Sequence, residues 1–252
     1  MTAGLLTLAF HQTSDRFFPG INNVPPRMFF AILDLLTAWG LELRADSGSE
    51  TGKTSAAMLT FDDGYEDNFA VLEAVCRRGI RPWLFVPTET IGESNRWDYA
   101  GRFFPARHLS AEQIRRLSAM GVIIGSHGVS HRSLTAMNPE RRTAELIDSR
   151  KTLEDLIGKP VDSLSFPFGR FDDAVVAGAR RCGFTTGFGL DRILPLSDDN
   201  LSFIRRRHAI YGNDNYYSLR NRLVRHTLWE AVKTGITWRL AGGTTAISPA
   251  LK

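Results

Sequence analysis

Cysteine is nearly absent: the chain has two in 252 residues, Cys76 and Cys182. Their spacing offers no thiolate metal site, and both are read as buried free thiols after helix-like runs. No apolar run approaches the roughly 18 residues of a membrane span. The start of the chain has no basic segment, and Leu5–Phe10 is too short for the apolar region of a secretory signal. A cytoplasmic chain is therefore expected. A large excess of charge of one sign is also missing. Lysine and arginine total 31 against 27 acidic residues, 31 − 27 = +4, which points to no nucleic-acid partner. A phosphate loop is excluded too. Gly52-Lys53-Thr54 ends like one, but Ser47 stands where its first glycine belongs, and no strand immediately precedes it.

What is present is a core. Apolar residues make up 43% of the chain, too many for disorder, and a single α/β domain reaches this length. Continuous apolar runs alternate with helical patterns. Strands are expected at Leu5–Phe10, Met58–Phe61, Pro82–Val86, Val122–Ser126, Ser163–Phe166, Thr185–Phe188 and about Phe203–Ile210. Helices are expected after Pro25-Pro26, from Phe69 to Arg78, after the Ser110–Gln113 capping box, from Asn138-Pro139 to Gly158, and from Asp172. Strands without alternation are those buried on both faces of a parallel sheet. About six or seven strand–helix units predict a distorted or incomplete (β/α) barrel over residues 5–212, one domain without repeats. Residues 213–252 are read as a helical extension. In it Tyr217, Val224, Leu228 and Ala231 form one apolar stripe, with Leu219, Leu223 and Trp229 opposite, among Arg222 and Lys233. Such a helix packs on the barrel and a partner chain, or lies on a membrane surface.

In such a fold the carboxyl ends of the strands gather on one face, where chemistry is done. His11, Asp62, Asp63, His127 and Pro167-Phe168 all stand there. Thr60-Phe61-Asp62-Asp63-Gly64 ends a strand in two carboxylates. Neighbours on an extended chain point to opposite sides, so the two take different roles. His127 and His131 follow another strand. With one carboxylate they make a metal site that leaves positions open for water. They are not the helical metalloprotease pair, because Gly128 occupies the place of its glutamate.

Residues 60–64 and 127–131 resemble the first two motifs of the polysaccharide deacetylases, the chitooligosaccharide-deacetylase homology type of carbohydrate esterase family four. Gly128 departs from the second motif, which has a hydroxyl residue there. Ser165-Phe166-Pro167-Phe168-Gly169 resembles the third, with Phe168 for tyrosine and no arginine before it. The resemblance implies Asp62 as general base and Asp63, His127 and His131 as ligands of one divalent ion. Zinc is expected first; cobalt, nickel or iron suit the same donors. Pro167 and the backbone N–H of Phe168 are implied at the substrate and oxyanion. The family's usual acid, a leucine-x-histidine near the C-terminus, has no match in His208 or His226. One branch instead carries it on the first strand after an aromatic residue, as Phe10-His11 does, and often has an arginine after its last strand, where Arg206 and Arg207 stand. The expected activity is removal of an N-acyl group, foremost N-acetyl, from an amino sugar in a glycan or glycolipid precursor. The competing expectations are a deformylase or amidase on a small or lipid-linked substrate, and a homologue that binds glycan without turnover.

Overall fold

The strand Ala56–Phe61 is buried at every residue, as its unbroken apolar composition predicts. It is the third of eight strands in the computed structural model, which describes residues 5–17, 21–45, 56–95, 106–190, 200, 202–221 and 223. In chain order the elements are β1 (Leu5–Phe10), α1 (Pro26–Ala38), β2 (Glu42–Leu43), β3 (Ala56–Phe61), α2 (Asn68–Arg77), β4 (Trp83–Val86), α3 (Ala111–Ala119), β5 (Ile123–Ser126), α4 (Pro139–Ile157), β6 (Ser163–Ser165), α5 (Asp173–Arg181), β7 (Thr186–Leu190), β8 (Ile204–Ala209) and α6 (Tyr216–Arg220).

Helix boundaries follow local chemistry. Ser110 and Gln113 close a capping box on α3, Asn138 caps α4 ahead of Pro139, and Gly158 stops it at φ 66°. Asp172 caps α5 by accepting from Val175 N–H.

The strands pair in parallel and close a barrel. β1 pairs with β3 along six residues, from Leu5↔Ala56 to Phe10↔Phe61, and with β8 at Leu8↔His208 and Ala9↔Ala209. The ring therefore runs β1-β3-β4-β5-β6-β7-β8 and returns to β1. β2, which no sequence pattern announces, lies outside this ring. It shares one edge of β3 with β4, pairing at Ala56 and Ala57 while β4 takes Thr60 and Phe61. The barrel is thus closed, and its distortion lies at β5–β6, which share a single register pair, Ser126↔Leu164.

Alternation sorts the strand residues into two layers. Leu8, Phe10, Leu59, Phe61, Leu84 and Val86 pack outward on Phe29, Leu33 and Leu72 of the helices. Phe10 meets Phe29 edge-on at 4.9 Å, an aromatic contact worth about 0.5–1.5 kcal/mol beyond its buried area. Met58, Phe85 and Phe188 form a separate inner cluster that fills the barrel below its carboxyl-end rim. Gly125 of β5 is required there, because a Cβ would lie 2.4 Å from the Phe85 ring.

Of the C-terminal extension, residues 213–221, which include α6, and Leu223 are described. Leu219 and Leu223 are buried in the outer core, while Tyr217 is 74% exposed. The Leu219 side therefore packs on the barrel; Arg222, Val224, Leu228, Trp229, Ala231 and Lys233 lie outside the described residues. Cys76 and Cys182 are free but only partly buried, short of the full burial expected. Burial still raises both thiols above their ordinary pKa, so neither is a ready nucleophile.

Candidate active site

Asp62 prolongs β3 by one residue, its N–H donating to Phe10 O at 2.9 Å. Its side chain keeps the phase of Met58 and Thr60 and enters the barrel. Asp63 leaves strand geometry at φ 68°. Opposite orientations were expected for these neighbours; the left-handed turn instead returns the Asp63 carboxylate to the same rim. The two still have separate partners.

Asp62 is held by Arg207, which reaches across from β8. Nη1 donates to Asp62 Oδ1 at 2.7 Å and to Thr60 Oγ1 at 3.0 Å; Nη2 donates to Asp62 Oδ2 at 2.8 Å and to Ser165 Oγ at 2.7 Å. Arg207 is 0% exposed and lies over the Phe85 and Phe188 rings at 5.5 and 5.9 Å. Arg206, the other arginine read from the sequence, is exposed: alternation along β8 turns it out of the barrel as it turns Arg207 in. Burial pushes the Asp62 carboxyl up, but the charge and hydrogen bonds of the Arg207 guanidinium, with the charges of His127 and His11, together hold the group below the ordinary carboxylate value. Asp62 is therefore ionised at neutral pH. Arg207→Leu leaves this carboxylate buried without its partner, and is expected to destabilise the fold by about 3–5 kcal/mol in urea unfolding. A loss below about 1 kcal/mol, the worth of an exposed pair, would refute that assignment.

Asp63 Oδ1 lies 3.3 Å from His127 Nε2 and 3.1 Å from His131 Nε2. His127 Nδ1 donates to Ser165 O at 2.8 Å. That bond crosses the thin β5–β6 seam, fixes the tautomer and leaves Nε2 for the centre. Burial raises the Asp63 carboxyl, yet His131 and His127 together take it well below its usual value. Burial lowers His127, but the Asp62 and Asp63 charges carry it above the ordinary imidazole value; for His131 burial prevails, and its pKa is lowered.

These three donors fit a divalent metal. Two imidazole nitrogens and one carboxylate oxygen, all buried, lie within 4.8 Å of one another. Ligands set tetrahedrally at about 2.0–2.2 Å from zinc would be spaced roughly 3.3–3.6 Å apart, close to the distances seen.

The backbone is strained where these groups converge. Asp63, His131 and Phe168 (φ 68°, 55° and 60°) are the non-glycine residues of positive φ among those described, a conformation costing about 1–3 kcal/mol each. Phe168 and His131 meet in a T-shaped ring contact, centroids 4.7 Å apart, and Pro167, before Phe168, is buried. The His127–His131 turn is held by α4: Glu145 Oε2 accepts Val129 N–H at 2.8 Å and Ser130 N–H at 3.0 Å. Gly128 suits this turn, with φ 77° and a would-be Cβ only 3.2 Å from that carboxylate oxygen.

His11 follows β1 at the rim, half-buried. Its carbonyl accepts Asn68 Nδ2 at 2.6 Å, and Asn68 Oδ1 binds Thr13 N–H and Oγ1, each at 2.8 Å. Its ring is near enough that its charge lowers both Asp62 and Asp63. Nδ1 is buried with no hydrogen-bond partner among the described residues. His208 sits on β8 in the opposite phase to Arg207, and His226 lies outside the described residues.

Sequence reasoning missed Ser165, Glu145 and His108. Glu145 had a signal, an acid next to Leu146 and four residues before Ser149 on the inner face of α4. His108, in the loop just before the Ser110 cap of α3, is buried.

Residues 49–187, more than half of the chain, match the family model for polysaccharide deacetylase. The chain belongs to the polysaccharide deacetylase family. The matched segment holds Asp62, Asp63, His127, His131 and Phe168; His11 and Arg207 come from outside it. Among curated polysaccharide deacetylases, the chain is 27% identical over 131 residues to the putative polysaccharide deacetylase YxkH of Bacillus subtilis, covering 52% of this chain and 43% of that one. It is 28% identical over 143 residues to the peptidoglycan-N-acetylmuramic acid deacetylase PdaA of the same organism, covering 54% and 47%. The match thus spans less than half of either relative. A polysaccharide deacetylase from Bacillus cereus shares the fold at TM-score 0.67 and 20% identity, over 84% of this chain and 66% of that one. IcaB from Ammonifex degensii shares it at TM-score 0.68 and 18% identity, over 82% and 92%.

Proposed function

We propose that this chain is a metal-dependent hydrolase that removes an N-acyl group, foremost acetyl, from an amino sugar of a glycan or glycolipid precursor. One observation carries the reading: an ionised, arginine-paired carboxylate, Asp62, stands on the same rim as the donor set Asp63, His127 and His131. Family membership and the activity named for the Bacillus subtilis peptidoglycan deacetylase support it.

A divalent ion held by these three residues would polarise the acyl carbonyl and lower the pKa of water to about 7. Asp62 takes the proton of the attacking water, and Arg207 and Ser165 keep its carboxylate ionised and aimed. The N–H of Phe168 is assigned to the oxyanion. His11 gives its proton to the departing nitrogen, since an amine is too basic to leave without one. A homologue that only binds glycan would have no need of the Asp62–Arg207 pair.

The test is acid release from a panel of N-acylated amino sugars by zinc-loaded protein, beginning with N-acetylated peptidoglycan and glucosamine oligomers. Acetate is expected, abolished by chelation and restored by zinc. Formate release from lipid-linked or small substrates alone would favour the deformylase reading. No release from any of them would leave a binding protein.

A further inference from the structure

The segment from Ala106 to Ser110 returns across the turn that carries Asp62 and Asp63. Three bonds strap it there. Glu66 N–H donates to Arg107 O at 2.8 Å, Leu109 N–H donates to Gly64 O at 2.8 Å, and His108 Nδ1 lies 2.8 Å from Asp63 O. The third is made by a side chain and lands on the residue that offers its carboxylate to the metal. A carbonyl oxygen only accepts, so Nδ1 carries the hydrogen and donates it.

His108 is only 2% exposed. Its ring stacks on Tyr65 at 4.9 Å, and the Tyr65 hydroxyl accepts Asn95 Nδ2 at 3.1 Å. Burial holds the imidazole below its ordinary pKa, so it is a neutral ring with its tautomer set by the carbonyl. Asp63 meanwhile has a left-handed backbone, φ 68°, which a non-glycine residue keeps only when its surroundings over-determine it. The flanking residues are held by backbone bonds, Asp62 N–H to Phe10 O, Gly64 N–H to Asp62 O and Leu109 N–H to Gly64 O, and Asp62 also by its carboxylate's bonds to Arg207.

We propose that His108 is a positioning residue of the metal centre: its buried Nδ1–H holds the main chain of Asp63 in the turn that presents the carboxylate to His127 and His131. The inference rests on reading those three residues as the metal site. It places the control of a ligand's orientation in its backbone, as hydrogen bonds to ligand side chains do elsewhere.

Three variants of the full chain separate the bond from the packing. His108→Asn puts an amide N–H close to where Nδ1 stands but loses the ring. His108→Phe keeps a ring against Tyr65 but loses the donor. His108→Gln keeps a donor but moves it outward by one methylene. Zinc affinity is measured by competition with a chromophoric chelator, alongside the melting temperature of the metal-free protein. The Phe and Gln variants are expected to bind zinc about 10–100-fold more weakly, with Asn near wild type whatever its melting temperature. If the Phe variant does not fold, the Asn and Gln pair decides. Unchanged affinity in Gln and Phe, or losses in all three that follow the melting temperature, overturns the proposal and leaves His108 as packing. A His127→Ala control distinguishes the two levels of failure. Wild type that takes up no zinc, or the control matching wild type, overturns the metal site itself and this inference with it. Zinc binding abolished in the control but untouched in His108→Phe and His108→Gln overturns this inference alone.

Discussion

His127→Ala is expected to leave a folded protein that holds no divalent ion at micromolar metal and releases no acetate above background. The imidazole supplies one of three donors, its Nε2 3.3 Å from Asp63 Oδ1, and its orientation is set by the bond from Nδ1 to Ser165 O. Alanine removes both. The remaining pair, Asp63 and His131, cannot hold an ion that ordinarily takes three protein ligands at a catalytic site. The loss should exceed the roughly 10–100-fold that an outer partner of a ligand is worth. Metal analysis after dialysis and turnover on one N-acetylated substrate check it together. Full metal content with full activity would remove His127 from the centre. Retained fold is expected because the turn itself is tied down elsewhere, by Glu145 and the Val129 and Ser130 N–H groups.

The second large effect is expected at His11. His11→Ala should lower turnover by roughly 10²–10⁴-fold, the usual worth of a general acid, with metal content unchanged. The case is positional. His11 continues the inward phase of β1, lies near both aspartates, and has a buried Nδ1 without a hydrogen-bond partner among the described residues. A buried polar atom in that condition calls for a reason, and proton transfer is one. Its backbone is pinned by Asn68, so removing the ring should not move the loop. His208→Ala should be mild, since β8 turns His208 the opposite way from Arg207. Loss of metal in His11→Ala would make His11 a ligand. An active His11→Ala beside a dead His208→Ala would move the acid to the last strand.

Much of this site is readable without coordinates because its signals are local. An apolar strand running into two aspartates and a glycine, and a second ending in two histidines four apart, declare both their position in the fold and their donor types. The barrel follows from unbroken apolar strands alternating with helices, and the helix ends from caps such as Ser110 and Asn138. Each depends on residues within a few positions of one another.

Other features depend on the phase of a strand or on contacts between distant segments. Arg205-Arg206-Arg207 shows no contrast in polarity from which an inward residue could be chosen; closure of β8 against β1 selects Arg207 and exposes Arg206. His108 stands before a helix cap and looks like surface until the strap folds it under the Asp63 turn. Ser165 is a small residue in a strand until Arg207, Asp62 and His127 all converge on it. The left-handed backbones of Asp63, His131 and Phe168 likewise need neighbours to sustain them. By itself, then, the sequence determined the family, the barrel and the candidate donors Asp63, His127 and His131, because short-range pattern encodes them. Tertiary structure decided which arginine pairs with Asp62, which histidine bonds to the Asp63 turn and how the two aspartates share one rim, because burial and hydrogen bonding across 45 to 145 residues of chain exist only once the barrel has closed.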